Sequence, residues 1–176
     1  MAENHNPSLS RGGRERAAEC VYNINMSIPS HYSHTNLIAR DWRRLAAFYQ
    51  DVFGCTPVPP ERNLQGAWLE AATGIPGAHL RGMHLRLPGH GEHGPTLEIF
   101  QYNTVLDGGA PAANRAGLGH LAFAVEDVEA ACQAVQAAGG SMLGDVVSVE
   151  IAGAGNIVFA YATDPEGNLI ELQRWS

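Results

Sequence analysis

Residues 117–127 read GLGHLAFAVED, an apolar strand pattern headed by an imidazole, His120. Residues 33–41, SHTNLIARD, take the same form with His34 at the head, and each run reaches an aspartate seven residues later, Asp41 and Asp127. A helix pattern follows each aspartate. In DWRRLAAFYQDVFG, Trp42, Leu45, Phe48, Tyr49 and Val52 recur at helical spacing, Asp41 suits the N-cap and Gly54 the C-cap. In DVEAACQAVQAAGG the stripe is Val128, Ala131, Cys132, Val135 and Ala138, capped by Asp127 and ended by Gly139 and Gly140. Gly54 and Gly140 both fall twenty residues after their histidine. Strand-like segments come next: GAWLEAA, HLRGMHLRLP and TLEIFQYN in the first half, DVVSVEI, IVFAYATD and NLIELQRW in the second. The chain reads as a duplicated β-α-β-β-β unit, and that repeat governs every other reading.

The last strands repeat a second feature. Each places a glutamate between aliphatic neighbours, Leu97-Glu98-Ile99 and Ile170-Glu171-Leu172. Side chains alternate across a strand, so the aliphatics share the helix-packed face and the glutamate points to the other. By the same rule Leu37 and Ala39, like Leu121, Phe123 and Val125, pack inward, while His34, Asn36 and His120 face out. Each half thus offers one histidine from its first strand and one glutamate from its last. If the two outward faces meet, His34, Glu98, His120 and Glu171 form a two-histidine, two-carboxylate cup. Neutral imidazole with carboxylate suits a divalent ion, one per site, from among Ni, Co, Zn, Mn and Fe, with positions left for water or substrate. The bland alternative pairs the glutamates with arginines, Arg86 or Arg174, and the histidines with backbone.

Bulk properties bound the function. The 176 residues are 45% hydrophobic and 16% charged, the balance of a globular chain. A net charge of −7, with no lysine at all and no arginine run, excludes lysine Schiff-base chemistry and argues against nucleic acid or an anionic membrane as partner. No apolar run reaches spanning length. Cys20, Cys55 and Cys132 make neither a metal-type pair nor an even disulfide set, so a reducing cytoplasm is the expected setting, with Cys132 in the core. Residues 1–29 are polar and weakly patterned and read as an N-terminal extension or tag, followed by a first unit over 30–112 and a second over 117–176.

HTNLIARDWRRLAAFYQDVFG, TLEIFQYN, GLGHLAFAVEDVEAACQAVQAAGG and YATDPEGNLIEL together resemble the vicinal oxygen chelate superfamily. That group includes glyoxalase I, methylmalonyl-CoA epimerase, extradiol dioxygenases and bleomycin- and fosfomycin-resistance proteins. The resemblance implies an α+β fold in which two tandem βαβββ modules form a cupped, barrel-like mixed sheet with helices outside. It implies metal ligation by His34, Glu98, His120 and Glu171. It further implies a metal-dependent lyase or isomerase that removes a proton α to a carbonyl, with Glu98 or Glu171 as base, acting on a small-molecule substrate. A homodimer is expected, since the family builds its cups within one chain or across two. The alternatives are a non-catalytic binding or resistance protein on the same fold and an extradiol-type dioxygenase. DPEGN (164–168) resembles the family's turn before the last strand, and a turn alone accounts for it.

The first half is longer. His34 to Glu98 spans 64 residues against 51 from His120 to Glu171, thirteen extra (98 − 34 against 171 − 120), within the Pro/Gly-rich region 56–95. That region reads as a long surface hairpin rather than a flap. His90 and His93 in its PGHGEHGP segment read as solvent-exposed, His79 and His84 as strand residues. Arg86 is a candidate for a substrate carboxylate or phosphate.

Overall fold

Asp41 and Asp127 start their helices as the sequence predicts. The computed structural model describes residues 28–176, so nearly all of the extension expected over 1–29 lies outside the described residues. After strand β1 (His34–Ile38), Asp41 accepts from the amides of Arg43 and Arg44 and opens helix α1 (Trp42–Phe53). Gly54 closes α1 in the left-handed conformation (φ 68°), which a glycine adopts without strain. Strand β2 (Thr56–Gln65), helix α2 (Ala67–Thr73), β3 (His79–Arg86) and β4 (Thr96–Tyr102) complete the first half. The second half holds β5 (Leu121–Ala124), α3 (Val128–Ala137), β6 (Ser141–Met142), β7 (Val147–Ile151), β8 (Gly155–Thr163) and β9 (Leu169–Trp175). Asp127 caps α3 through the amide of Ala130.

Two of these elements differ from the sequence reading. GAWLEAA is helix α2, not a strand: Ala, Leu and Glu are strong helix formers, and Gly74 caps the end at φ 69°. The strand preceding it is TPVPPERNLQ, hidden by its prolines. A proline cannot donate to a ladder, and β2 tolerates three because it is an edge strand, paired only with β3, whose register breaks between Val58 and Arg62. The thirteen extra residues therefore serve an ordered strand and helix as well as a loop. The second half adds only the two-residue β6.

The strands form two mixed sheets, ordered β1-β4-β3-β2 and β5-β9-β8-β6, with β7 also on β8. In each, the first strand runs parallel to the last and the others are antiparallel. Neither sheet closes into a barrel. Helices α1 and α3 cover one face apiece, and their stripes share a single core: Leu45, Tyr49, Leu97, Ile99, Val135, Ile170 and Leu172 are all shielded from solvent. Phe53 stacks on Phe123 across the two halves, ring centroids 3.9 Å apart. Cys132 is buried in this core, as expected. Among the described residues no helix is long and apolar enough to cross a membrane.

The DPEGN turn does more than reverse the chain. Asp164 Oδ2 accepts from the Tyr49 hydroxyl at 2.9 Å, and Glu166 Oε1 accepts from the amides of Arg40 (3.0 Å) and Asp41 (2.9 Å). A turn of the second half thus latches α1 of the first.

Candidate functional site

Leu97 and Ile99 are fully buried against α1, so alternation sends Glu98 to the opposite face of the first sheet, away from α1. Register gives Glu98 two neighbours on that face, Asn36 of β1 and His84 of β3. Asn36 Nδ2 donates to Glu98 Oε2 at 3.3 Å, and His34 Nε2 lies 3.5 Å from the same oxygen. His84 Nε2 sits 3.1 Å from Oε1. Burial lowers the His84 pKa from 6.5; the Glu98 charge opposes this, while Arg62 and His34 add to it.

The second sheet repeats the arrangement. Glu171 lies between the buried Ile170 and Leu172 and faces away from α3, with His120 Nε2 at 2.8 Å from its Oε2. Where β3 carries His84, β8 carries Tyr161, paired in register with Glu171. Burial raises the Tyr161 pKa above 10.0, and the neighbouring Glu171 carboxylate pushes the same way. The His120 and Tyr161 rings are 5.2 Å apart.

The arginine alternative finds no support here. Arg86 points a guanidinium nitrogen at the Gly91 carbonyl and Arg174 at that of Glu126, each at 3.4 Å, while both glutamates meet histidine. Imidazole and carboxylate donors fit a divalent ion. They come as two pairs, His34 with Glu98 and His120 with Glu171, one on each sheet. Among the described residues no group of three or more His, Cys, Asp or Glu is placed to hold a metal ion, so within one chain the two histidine–glutamate pairs stand apart on separate sheets. A cavity of about 410 Å³ is lined by Asn36, Arg40, Leu118, His120, Glu166 and Asn168 among others, and of the four candidate ligands only His120 borders it. His90 and His93 are exposed, as expected. Sequence reasoning assigned no role to His84, Tyr161 or Asn36. Their link to the glutamates lies in strand register, and a sequence does not print register.

A duplicated strand–helix–sheet unit with a histidine–glutamate pair on each open face defines a class. The chain belongs to the Glyoxalase/Bleomycin resistance protein/Dioxygenase superfamily, whose pattern matches residues 31–172. It is 30% identical over 139 residues to a lactoylglutathione lyase of Haemophilus influenzae, covering 79% of this chain and 88% of that enzyme. It is 28% identical over 142 residues to a probable lactoylglutathione lyase of Vibrio parahaemolyticus, covering 79% and 86%. Among solved structures, a glyoxalase family protein from Bacillus cereus superposes with a TM-score of 0.72 at 17% identity, covering 86% of this chain and 98% of that one. A fosfomycin resistance protein from Listeria monocytogenes does so at 0.52 and 19%, covering 85% and 94%. These structural likenesses carry the fold alone.

Proposed function

We propose that this protein is a metal-dependent lyase or isomerase of the glyoxalase type, removing a proton from a carbon next to a carbonyl. The observation that carries the reading is the repeated histidine–glutamate pairing on the two open faces, in a chain related to lactoylglutathione lyases. His34, Glu98, His120 and Glu171 are the metal ligands in this reading, and Glu98 and Glu171 are also the candidate bases. Because one chain offers two half-sites, a homodimer completes each: the first-sheet pair of one copy faces the second-sheet pair of the other. When bound, a divalent ion (Ni, Co, Zn, Mn or Fe) supplies Lewis-acid stabilisation to the charge that develops as the proton leaves. The glutamates supply the proton traffic, each nearly buried and flanked by hydrogen-bond donors. The substrate is a small hydroxycarbonyl or acyl thioester, and a reducing cytoplasm is the setting.

Metal analysis of the purified protein, followed by EDTA stripping, reloading and a methylglyoxal–thiol assay, tests this reading. About one ion per half-site pair is expected, with activity returning on reloading. Glu171→Gln keeps the size but loses basicity, so turnover falls by roughly two orders of magnitude or more while the fold persists. His120→Ala loses metal affinity. In deuterated water the product gains deuterium at the α-carbon, and oxygen is not consumed. Turnover that needs oxygen would move the protein to dioxygenase chemistry, and small-molecule binding indifferent to chelators would make it a binding protein.

A further inference from the structure

Glu98 and Glu171 occupy equivalent places, yet they are held differently. The residue opposite each in register, on the neighbouring antiparallel strand, is His84 in the first sheet and Tyr161 in the second. On Glu98, His84 takes Oε1 and Asn36 takes Oε2, so both oxygens keep a partner even when His34 is set aside. Opposite Glu171 in register stand Tyr161 and, where the first sheet has Asn36, Ala122, which has no polar side chain. The His84 ring is itself constrained: it packs against Phe100, with centroids 5.7 Å apart and planes at 62°, and its side chain is only 21% exposed. A neutral imidazole has one N–H, and the nitrogen that faces the carboxylate is Nε2.

We infer that His84 is a positioning residue, which tethers Glu98 through Oε1, keeps Oε2 on the His34 side, and thereby sets the affinity of the first half-site for a divalent cation. The inference rests on the reading of Glu98 as a metal ligand and adds a residue that the duplicated pattern does not contain. Carboxylates that ligate metals are oriented by hydrogen bonds from groups that do not touch the metal, and losing such a group weakens binding ten- to hundred-fold. A carboxylate free to rotate must be ordered when the ion binds, and the His84 contact provides that order beforehand. Tyr161 fills the equivalent slot with a phenol. The slot is thus duplicated while the donor is not.

The test is titration with Co or Zn alone, in competition with a chromophoric chelator, on wild type, Glu98→Gln, His84→Leu and His84→Gln. His84→Leu removes the donor, and His84→Gln returns an amide N–H at similar reach. The expected result is a ten- to hundred-fold loss of affinity in His84→Leu, largely recovered in His84→Gln, with the metal-free thermal midpoint equal in both. Wild-type affinity in His84→Leu, with binding lost in Glu98→Gln, overturns the role of His84 and leaves the metal reading standing. A His84→Gln variant no better than His84→Leu also overturns it, because packing rather than the Nε2–carboxylate contact is then at work. If wild type takes up no ion, or Glu98→Gln binds as wild type does, both readings fall together.

Discussion

Asp164 shows how much one buried side chain organises. Its carboxylate is 2% exposed and accepts from the Tyr49 hydroxyl, the amides of Glu166 and Asn168, and the Asn168 side chain. Burial raises its pKa above 3.8 while these hydrogen bonds pull the other way; burial also lifts Tyr49 well above 10.0. A carboxylate whose folded pKa is raised favours the fold most below its unfolded value and loses that contribution as pH climbs through the folded one. Acid unfolding therefore starts at other groups. Tyr49→Phe deletes one donor and leaves Oδ2 to Asn168 alone, which costs about 1–3 kcal/mol and lowers the thermal midpoint by a few degrees in circular dichroism melts. An unchanged midpoint would show that the latch does not contribute to stability. His84 has the opposite sign: its lowered pKa means that the unfolded chain takes the proton more readily. Its contribution is whole above 6.5 and is lost as pH falls through the folded value. In the metal-free protein its ring resonance should titrate below 6.5, and a midpoint at or above that value contradicts the environment described here. The pairings of His34 with Glu98 and of His120 with Glu171 were legible because duplication marks them twice. His84 and Tyr161 were not, because they differ in type and only register relates them.

At the scale of elements, the helices and most strands were readable where one period dominates. Asp41, Gly54 and Asp127 carry explicit capping chemistry, and the α1 and α3 stripes bury most of the residues their spacing selects, with Val52, Ala131 and Ala138 half-buried at the edge of the core. The failure lies between residues 56 and 73, where local chemistry and tertiary context disagree. Pro57, Pro59 and Pro60 argue against a strand, and only the free edge beside β3 makes one possible. GAWLEAA has too few residues to separate period 2 from period 3.6. Helix α2 is held by one anchor: Leu69 packs on Leu80, Leu64, Phe100 and Tyr102, on the face of the first sheet that carries Glu98. Leu69→Ala opens that contact at a cost of about 2–4 kcal/mol, and the loss should be local. Hydrogen exchange in residues 67–73 should then speed up while the β4 amides keep their protection. Uniform loss of protection along β3 and β4 would show that α2 is integral to the sheet rather than a cover on it.

Among the described residues, both glutamate-bearing faces leave apolar side chains exposed. On the face of the second sheet that carries Glu171, Val147, Val149, Ile151 and Trp175 are exposed, and on the matching face of the first sheet so is Ile38. The isologous dimer proposed above would cover these faces in both copies, since the first sheet of each copy would then meet the second sheet of the other. Such a pairing makes a prediction that no single-chain site can imitate. Glu98→Gln breaks the first half-site and Glu171→Gln the second, so each variant purified alone has every metal centre damaged. Coexpressed, the two chains mix, and half of the dimers combine one of each. In a mixed dimer the intact second half of the Glu98→Gln chain faces the intact first half of the Glu171→Gln chain, while the other centre is doubly broken. About a quarter of all centres should then recover metal and turnover. If the centre forms within one chain, mixing restores nothing, because every chain carries its own damage. Val149→Glu gives the complementary result by placing a charge on the exposed apolar face. Light scattering should report a monomer with native circular dichroism, and metal binding should weaken because each half-site has lost its other half.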